Sequence, residues 1–222
     1  SALDEMKRLA HSHPGFAPAF SSAAQMLNST QFVKIGKMRD AAQVRDAIAY
    51  ATEATRIDPV DSRGHLALGW AYAMAGQHER AAVHHDLAAD LNDNDPWTLM
   101  SSGLGAASRL QHDIAAERAE RAMALTVSPA PQHWLYIAQI AFLCGDYERA
   151  VSVDDQAWTN INYAEGWRIG ALSLLGRKAD ATACFQAYAS RIRQAWSETG
   201  SPDDNQVAAW FLHLFPFSVR KE

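Results

Sequence analysis

The chain has 222 residues and a formal net charge of −5; 48% of its residues are hydrophobic and 42 are alanine. This apolar content excludes intrinsic disorder, and the lack of clustered Lys and Arg argues against direct nucleic-acid binding. So much alanine with few β-branched runs favours closely packed helices.

The chain opens on an amphipathic segment, residues 2–13, in which apolar residues recur at helical spacing. We predict that this segment is the second helix of a pair truncated at its front. Because the sequence starts without Met and without an apolar leader, we expect the chain to be a fragment of a longer protein.

Small residues then recur with a period near 34 residues, in two series that lie seven residues apart. The series are Ala47, Ala81, Ala115, Ala150 and Ala181, then Ala54, Ala88, Ala122, Ala157 and Tyr188. Glycines suited to turns separate the paired segments at Gly76, Gly145 and Gly176. We therefore predict hairpins of two helices, which stack because one hairpin alone cannot bury its apolar stripe.

The predicted architecture is a single all-α domain, 1–222: a right-handed superhelical solenoid of stacked helix-turn-helix hairpins with a C-terminal helix. The predicted hairpins are 17–61, 62–95, 96–130, 131–162 and 163–192, and the C-terminal helix is 203–215.

Parts of these hairpins resemble tetratricopeptide repeats (TPRs). One part is Leu68–Ala81, and another combines Trp134–Ala138 with Gly145–Ala150. The resemblance covers 17–192 and departs at Leu110, which replaces a turn glycine. It implies a non-catalytic solenoid in which the first helix of each pair lines a concave surface.

The order of elements is also similar to the TPR region of bacterial class III adenylate cyclases and winged-helix transcriptional regulators. The segments that carry this similarity are Asp58-Pro59 with Ala67–Trp70, Pro131–Trp134 with Gly145–Ala150, and Leu214–Phe217. The similarity implies a regulatory region of a larger bacterial signalling or transcription regulator.

The sequence carries no motif for phosphate binding, acyl transfer or zinc hydrolysis, so we predict no enzyme, no cofactor and no metal site. His84 and His85, with His65 on the facing helix, are the residues most similar to a metal-ligand cluster. Adjacent helical residues point about 100° apart, which disfavours one ion between them. We expect His85 to pack near His65 and His84 to be solvated.

The TPR resemblance identifies candidate partner-binding residues on the concave face of the first helices. They are Gln25, Leu66, Trp70, Met74, Trp97, Met100, Leu104, Leu135, Tyr136, Gln139 and Phe142. Chaperone-binding TPR domains clamp an acidic tail with a Lys/Asn/Arg set, which is absent from these positions. The predicted surface is instead aromatic and aliphatic, as interaction sites often are.

The C-terminal helix is apolar almost all round, more so than a polar-faced solenoid cap requires. Its predicted contact residues are Trp210, Phe211, Leu214 and Phe215. Three alternatives stay open: packing on its own chain as a cap or in the groove, a homodimer contact, or an external partner.

The first hairpin contains one basic stretch, Gln31–Arg39. We expect a solvated loop or an elongation of the flanking helices, with docking to an acidic partner as the alternative.

These patterns predict a non-catalytic scaffold module that binds a protein or peptide through its concave face or C-terminal edge. The alternatives are a sensor of a small apolar molecule near Trp70, Trp97 and Met100, and a homodimerisation module. No run of about 18 apolar residues occurs, so we expect no membrane insertion. We expect a cytoplasmic location; the periplasm stays open if the parent protein is membrane-anchored.

Overall fold

A computed structural model describes residues 1–153, 157, 161 and 163–217 of the chain. Within these residues it contains twelve helices and no strand, which confirms the predicted all-α class. The helices are α1 Ala2–Ser12, α2 Ala17–Val33, α3 Ala41–Ile57, α4 Ser62–Met74, α5 His78–Leu91, α6 Pro96–Ser108, α7 His112–Ala124, α8 Pro131–Leu143, α9 Tyr147–Ser152, α10 Glu165–Leu174, α11 Lys178–Ala195 and α12 Asp204–Leu214.

The helices pack as consecutive hairpins: α2 with α3, α4 with α5, α6 with α7, α8 with α9, and α10 with α11. The first helices of these pairs, α2, α4, α6, α8 and α10, contact one another in series and form an inner layer. Helix α1 packs on α2, and α12 contacts α11. The predicted solenoid of stacked hairpins is therefore confirmed.

Two observations concern the predicted unit boundaries. Helix α11 runs three residues beyond the predicted end at 192, and the unit 131–162 includes residues outside the described ones. The division of the chain into repeats stays a prediction.

Local sequence explains where the helices begin and how the hairpins turn. The side chains of Asp40, Asp61 and Asp95 accept backbone N–H bonds at the starts of α3, α4 and α6, as N-cap carboxylates do. The predicted turn glycines Gly76, Gly145 and Gly176 all have positive φ, between 73° and 85°. A left-handed residue thus ends the first helix in each of these three hairpins.

The two series of small residues lie where the helices meet. Every member of both series is at most 6% exposed. Nine of the ten members are alanines, whose small side chains let helix backbones approach closely; the tenth is Tyr188. Larger residues of the inner layer fill the space between hairpins. The alanine pattern of the sequence is therefore a packing pattern.

The C-terminal part of the chain packs back onto the first hairpin. The N–H and the hydroxyl of Ser197 both donate to the carbonyl of Ile35, at 3.0 and 2.6 Å. The backbone N–H of Arg39 donates to Nε2 of His213 at 2.6 Å, and the Arg39 guanidinium donates to the His213 carbonyl. We call this contact between residues 35–39 and 196–213 the closure.

The closure corrects the expectation for the basic stretch. Helix α2 does extend to Val33, as the elongation alternative predicted. The residues after it do not form a solvated loop, because Ile35 and Gly36 are buried and the Trp196 ring covers Gly36. A Cβ at Gly36 would lie 2.7 Å from that ring, so only glycine fits there.

The C-terminal helix packs on its own chain, the first of the three alternatives. Trp210 and Leu214 are buried, and the Trp210 ring lies 6.2 Å from that of Trp196. Phe211 packs over Gly166 and against Trp167 of α10. Most of the apolar surface of α12 is therefore buried within the chain, whereas Leu212 is 62% exposed.

Candidate concave pocket

A pocket of about 420 Å³ lies on the inner face of the solenoid, where α2, α4, α6 and α8 meet the segment after α12. We call it the concave pocket. Its described lining residues are Gln25, Asn28, Ser29, Phe32, Val33, Trp70, Met74, Trp97, Leu104, Gln132, Tyr136, Gln139, Ile161, Tyr163, Phe215 and Phe217. None of these side chains carries a charge.

The C-terminal segment forms one wall of the pocket. The Phe217 ring lies 5.1 Å from the Trp70 ring, and the Phe215 ring lies 5.5 Å from Phe32 and 5.7 Å from Tyr163. These tilted contacts are favourable geometries for aromatic pairs. The chain thus fills part of its own concave groove and leaves the rest open.

A linked set of polar groups supports the aromatic floor. The indole N–H of Trp70 donates to the Ser101 hydroxyl at 2.7 Å, and the Tyr136 hydroxyl lies beside Ser101 and Gln132. The Gln132 amide reaches the Tyr163 hydroxyl at 3.4 Å. Burial raises the pKa of both tyrosines, so their hydroxyls stay neutral. These bonds hold the rings at fixed orientations.

Gln139 differs from the other polar residues of the pocket. Its side chain is only 2% exposed, yet its carboxamide has no hydrogen-bond partner among the described residues. Asn28, by contrast, donates its amide to the carbonyl of Ala67 at 2.8 Å. Neither atom of this carboxamide is sealed inside the protein, so the group faces the pocket space and is suited to bonding a ligand.

Eight of the predicted contact residues line this pocket. They are Gln25, Trp70, Met74, Trp97, Leu104, Tyr136, Gln139 and Phe215. Leu66, Met100 and Leu135 are fully buried in the core, and Phe142 packs between Tyr147 and Trp167. Three more, Trp210, Phe211 and Leu214, belong to α12 and pack against other parts of their own chain. Contact of any of these residues with a partner stays a prediction.

The other eight lining residues were not predicted from the sequence. Phe32 and Val33 lie in the stretch that was interpreted as basic, and Phe217 follows the C-terminal helix. The sequence does contain a signal for them, because these three residues are apolar although they lie in a basic stretch or near the C-terminus. Gln132 lies one residue after the Pro131 that begins α8, one turn before Tyr136.

The expectation for the histidine cluster was wrong. His65 donates from Nε2 to the Pro59 carbonyl, so its Nδ1 accepts from Nδ1 of His84 at 2.9 Å, and their rings stack. His85 instead occupies a slot between Gly69 and Gly105, beside Trp70. Burial, followed by the nearby Arg109 and Arg118, lowers the pKa of His85 to about 3.

Nothing in the described part of the chain groups three His, Cys, Asp or Glu side chains so that they could hold a metal ion. The two cysteines, Cys144 and Cys184, are both only partly buried and form no disulfide. Across the described ranges, no helix has the length and apolarity needed to cross a bilayer.

No family model matches the sequence, and no curated protein matches it. Solved structures do match. A TPR protein from Parabacteroides merdae aligns with 95% of this chain and 91% of its own length, at 11% identity and a TM-score of 0.59. The fold is a TPR solenoid.

A chain of the APC/C hetero-tetramer Cut9–Hcn1 aligns with 96% of this chain, at 14% identity and a TM-score of 0.60. The alignment covers 42% of that protein, so this chain spans less than half of its length. At identities this low, the two alignments show that the chains share a fold and nothing more.

Proposed function

We propose that this TPR solenoid is a non-catalytic interaction module that binds a protein or peptide across the mouth of the concave pocket. We define the mouth as five of the lining residues that are not fully buried: Gln25, Ser29, Val33, Trp97 and Gln132. An uncharged, partly apolar mouth on the inner face of a TPR solenoid is the observation that carries the proposal.

Trp97 is the expected anchor of the partner. It is partly exposed, and the Tyr136 ring holds it edge-on at a centroid distance of 5.4 Å. Tryptophan dominates many interfaces because it offers a large, rigid contact area. Val33, 76% exposed, adds an apolar contact on the opposite side of the mouth.

The mouth also defines the chemistry of the partner. It contains amides, a hydroxyl and apolar groups, and no Lys or Arg that would pair with an acidic tail. An uncharged segment rich in apolar side chains fits this mouth. A regulatory role within a larger bacterial cytoplasmic signalling or transcription regulator is part of the proposal, supported by the order of elements in the sequence.

The test is a display screen of random peptides against the intact chain, followed by affinity measurements on variants. Trp97→Ala should weaken binding of the selected peptides at least tenfold, because a partly buried anchor is lost. Leu87→Ala removes a comparably exposed apolar side chain from the outer helix α5 and should leave binding unchanged.

Folding and self-association are controlled in the same samples. Thermal melts verify that both variants fold, and sedimentation at several concentrations separates peptide capture from dimerisation. Unchanged peptide affinity in a folded Trp97→Ala variant would contradict the proposed mouth.

A further inference from the structure

We infer that the concave pocket, beneath its mouth, binds an uncharged aromatic small molecule that carries an N–H or O–H donor. This goes beyond partner docking at the mouth. The pocket volume of about 420 Å³ lies within the range of small-molecule sites, which is roughly 300–1,000 Å³. It exceeds what a single inserted side chain would fill.

Charge complementarity sets the first property of the ligand. The described lining contains no charged side chain, and the hydroxyls of Tyr136 and Tyr163 stay neutral. A charged ligand would lose its hydration without gaining a counter-charge, and that loss is costly. The site therefore selects a neutral molecule.

The walls set the second property. Trp70 on α4, Tyr136 on α8 and Phe217 in the segment after α12 each present a ring to the pocket. Rings arranged this way form edge-to-face and offset contacts with a flat aromatic ligand. All of these rings belong to this chain.

Gln139 sets the third property. Its buried carboxamide lines the pocket and lacks a hydrogen-bond partner among the described side chains and backbone groups. Neither of its atoms is sealed inside the protein, so a donor on the ligand can hydrogen-bond to its Oε1 from the pocket space. Ligand binding is thus directed by one buried polar group in apolar surroundings, as is common for small-molecule sites.

The test uses two fluorescent probes that share the anilinonaphthalene skeleton, titrated into the intact chain. N-phenyl-1-naphthylamine is neutral and carries one N–H donor, whereas 8-anilino-1-naphthalenesulfonate adds a negative charge. We expect saturable one-to-one binding of the neutral probe and at least tenfold weaker binding of the sulfonate. Absence of saturable binding, or equal affinity for the two probes, would overturn the inference.

Three variants, one of them a control, localise the neutral probe. Ser29→Phe should occlude the pocket from α2 and weaken binding at least tenfold, whereas Ser22→Phe, on the same helix but outside the lining, should not change it. Gln139→Met keeps the side-chain size but removes the acceptor, and should weaken binding about fivefold. Equal loss in both serine variants, or no loss in folded Gln139→Met, would contradict the assignment. No partner is needed, so failure here leaves the proposed mouth untouched.

Discussion

At the scale of single residues, Leu110 is the position where the sequence departs most clearly from its own pattern. It ends the first helix of the third hairpin with φ +62°, in the conformation that glycine adopts in the other hairpins. A left-handed conformation costs a residue with a Cβ about 1–2 kcal/mol. Its side chain is 61% exposed and contributes little burial in return.

Leu110→Gly should therefore raise the free energy of unfolding by about 1 kcal/mol, after the greater flexibility of glycine in the unfolded chain is subtracted. Urea denaturation of the two proteins measures the difference. Leu110→Ala serves as the control, because it shortens the side chain but keeps the Cβ, and should change stability little. A destabilised Leu110→Gly variant would mean that the exposed side chain stabilises the turn.

At the scale of elements, the contact between α4, α5 and α6 depends on one histidine between two glycines. A Cβ on Gly69 would lie 2.3 Å from the His85 ring, and a Cβ on Gly105 would lie 2.2 Å from it. Neither ring nitrogen of His85 has a hydrogen-bond partner among the described residues. The helices are thus held by close packing of a neutral imidazole.

Gly105→Ala should lower the free energy of unfolding by about 1–3 kcal/mol, because the added methyl overpacks the slot. The same measurement on Gly15→Ala, where no atom lies within 4 Å of the new Cβ, should give a change near zero. Combining Gly105→Ala with His85→Ala should cost less than the sum of the single changes. Additive costs would show that the clash does not involve His85.

Much of this element-level structure was predictable from the sequence, because each helix contact requires a small residue at a fixed place in the repeat. The positions of Ala81, Ala115 and the turn glycines follow from that requirement. The site of His85 did not follow, because two glycines on different helices create its slot. Trp97 was predicted from its register, whereas Phe217 was not, because its place depends on how the C-terminal segment crosses the groove.

At the scale of the whole molecule, the closure turns a row of hairpins into a structure whose ends are linked. Its bonds join residues more than 160 positions apart, partly through backbone groups, which leave no pattern in the sequence. It also places Phe215 and Phe217 against the inner layer. The same C-terminal part of the chain thus makes the closure and one wall of the concave pocket.

The closure depends on the protonation state of His213. Its Nε2 accepts the Arg39 N–H, and an imidazolium has no acceptor. Burial, followed by the charge of Arg39, lowers the pKa of His213 below its usual 6.5. The unfolded chain then binds more protons in acid, so this contribution to stability is full above about pH 6.5 and is lost as the pH falls below it.

Hydrogen exchange of the intact chain tests the closure most directly. At about pH 7.5, the amides of Ser197 and α12 should be as strongly protected as those of α4 and α6, because all belong to one packed unit. At about pH 5, protection factors corrected for intrinsic exchange rates should fall first at Ser197 and α12. Unprotected amides at Ser197 and α12 at about pH 7.5, beside a protected α4 and α6, would contradict the closed solenoid.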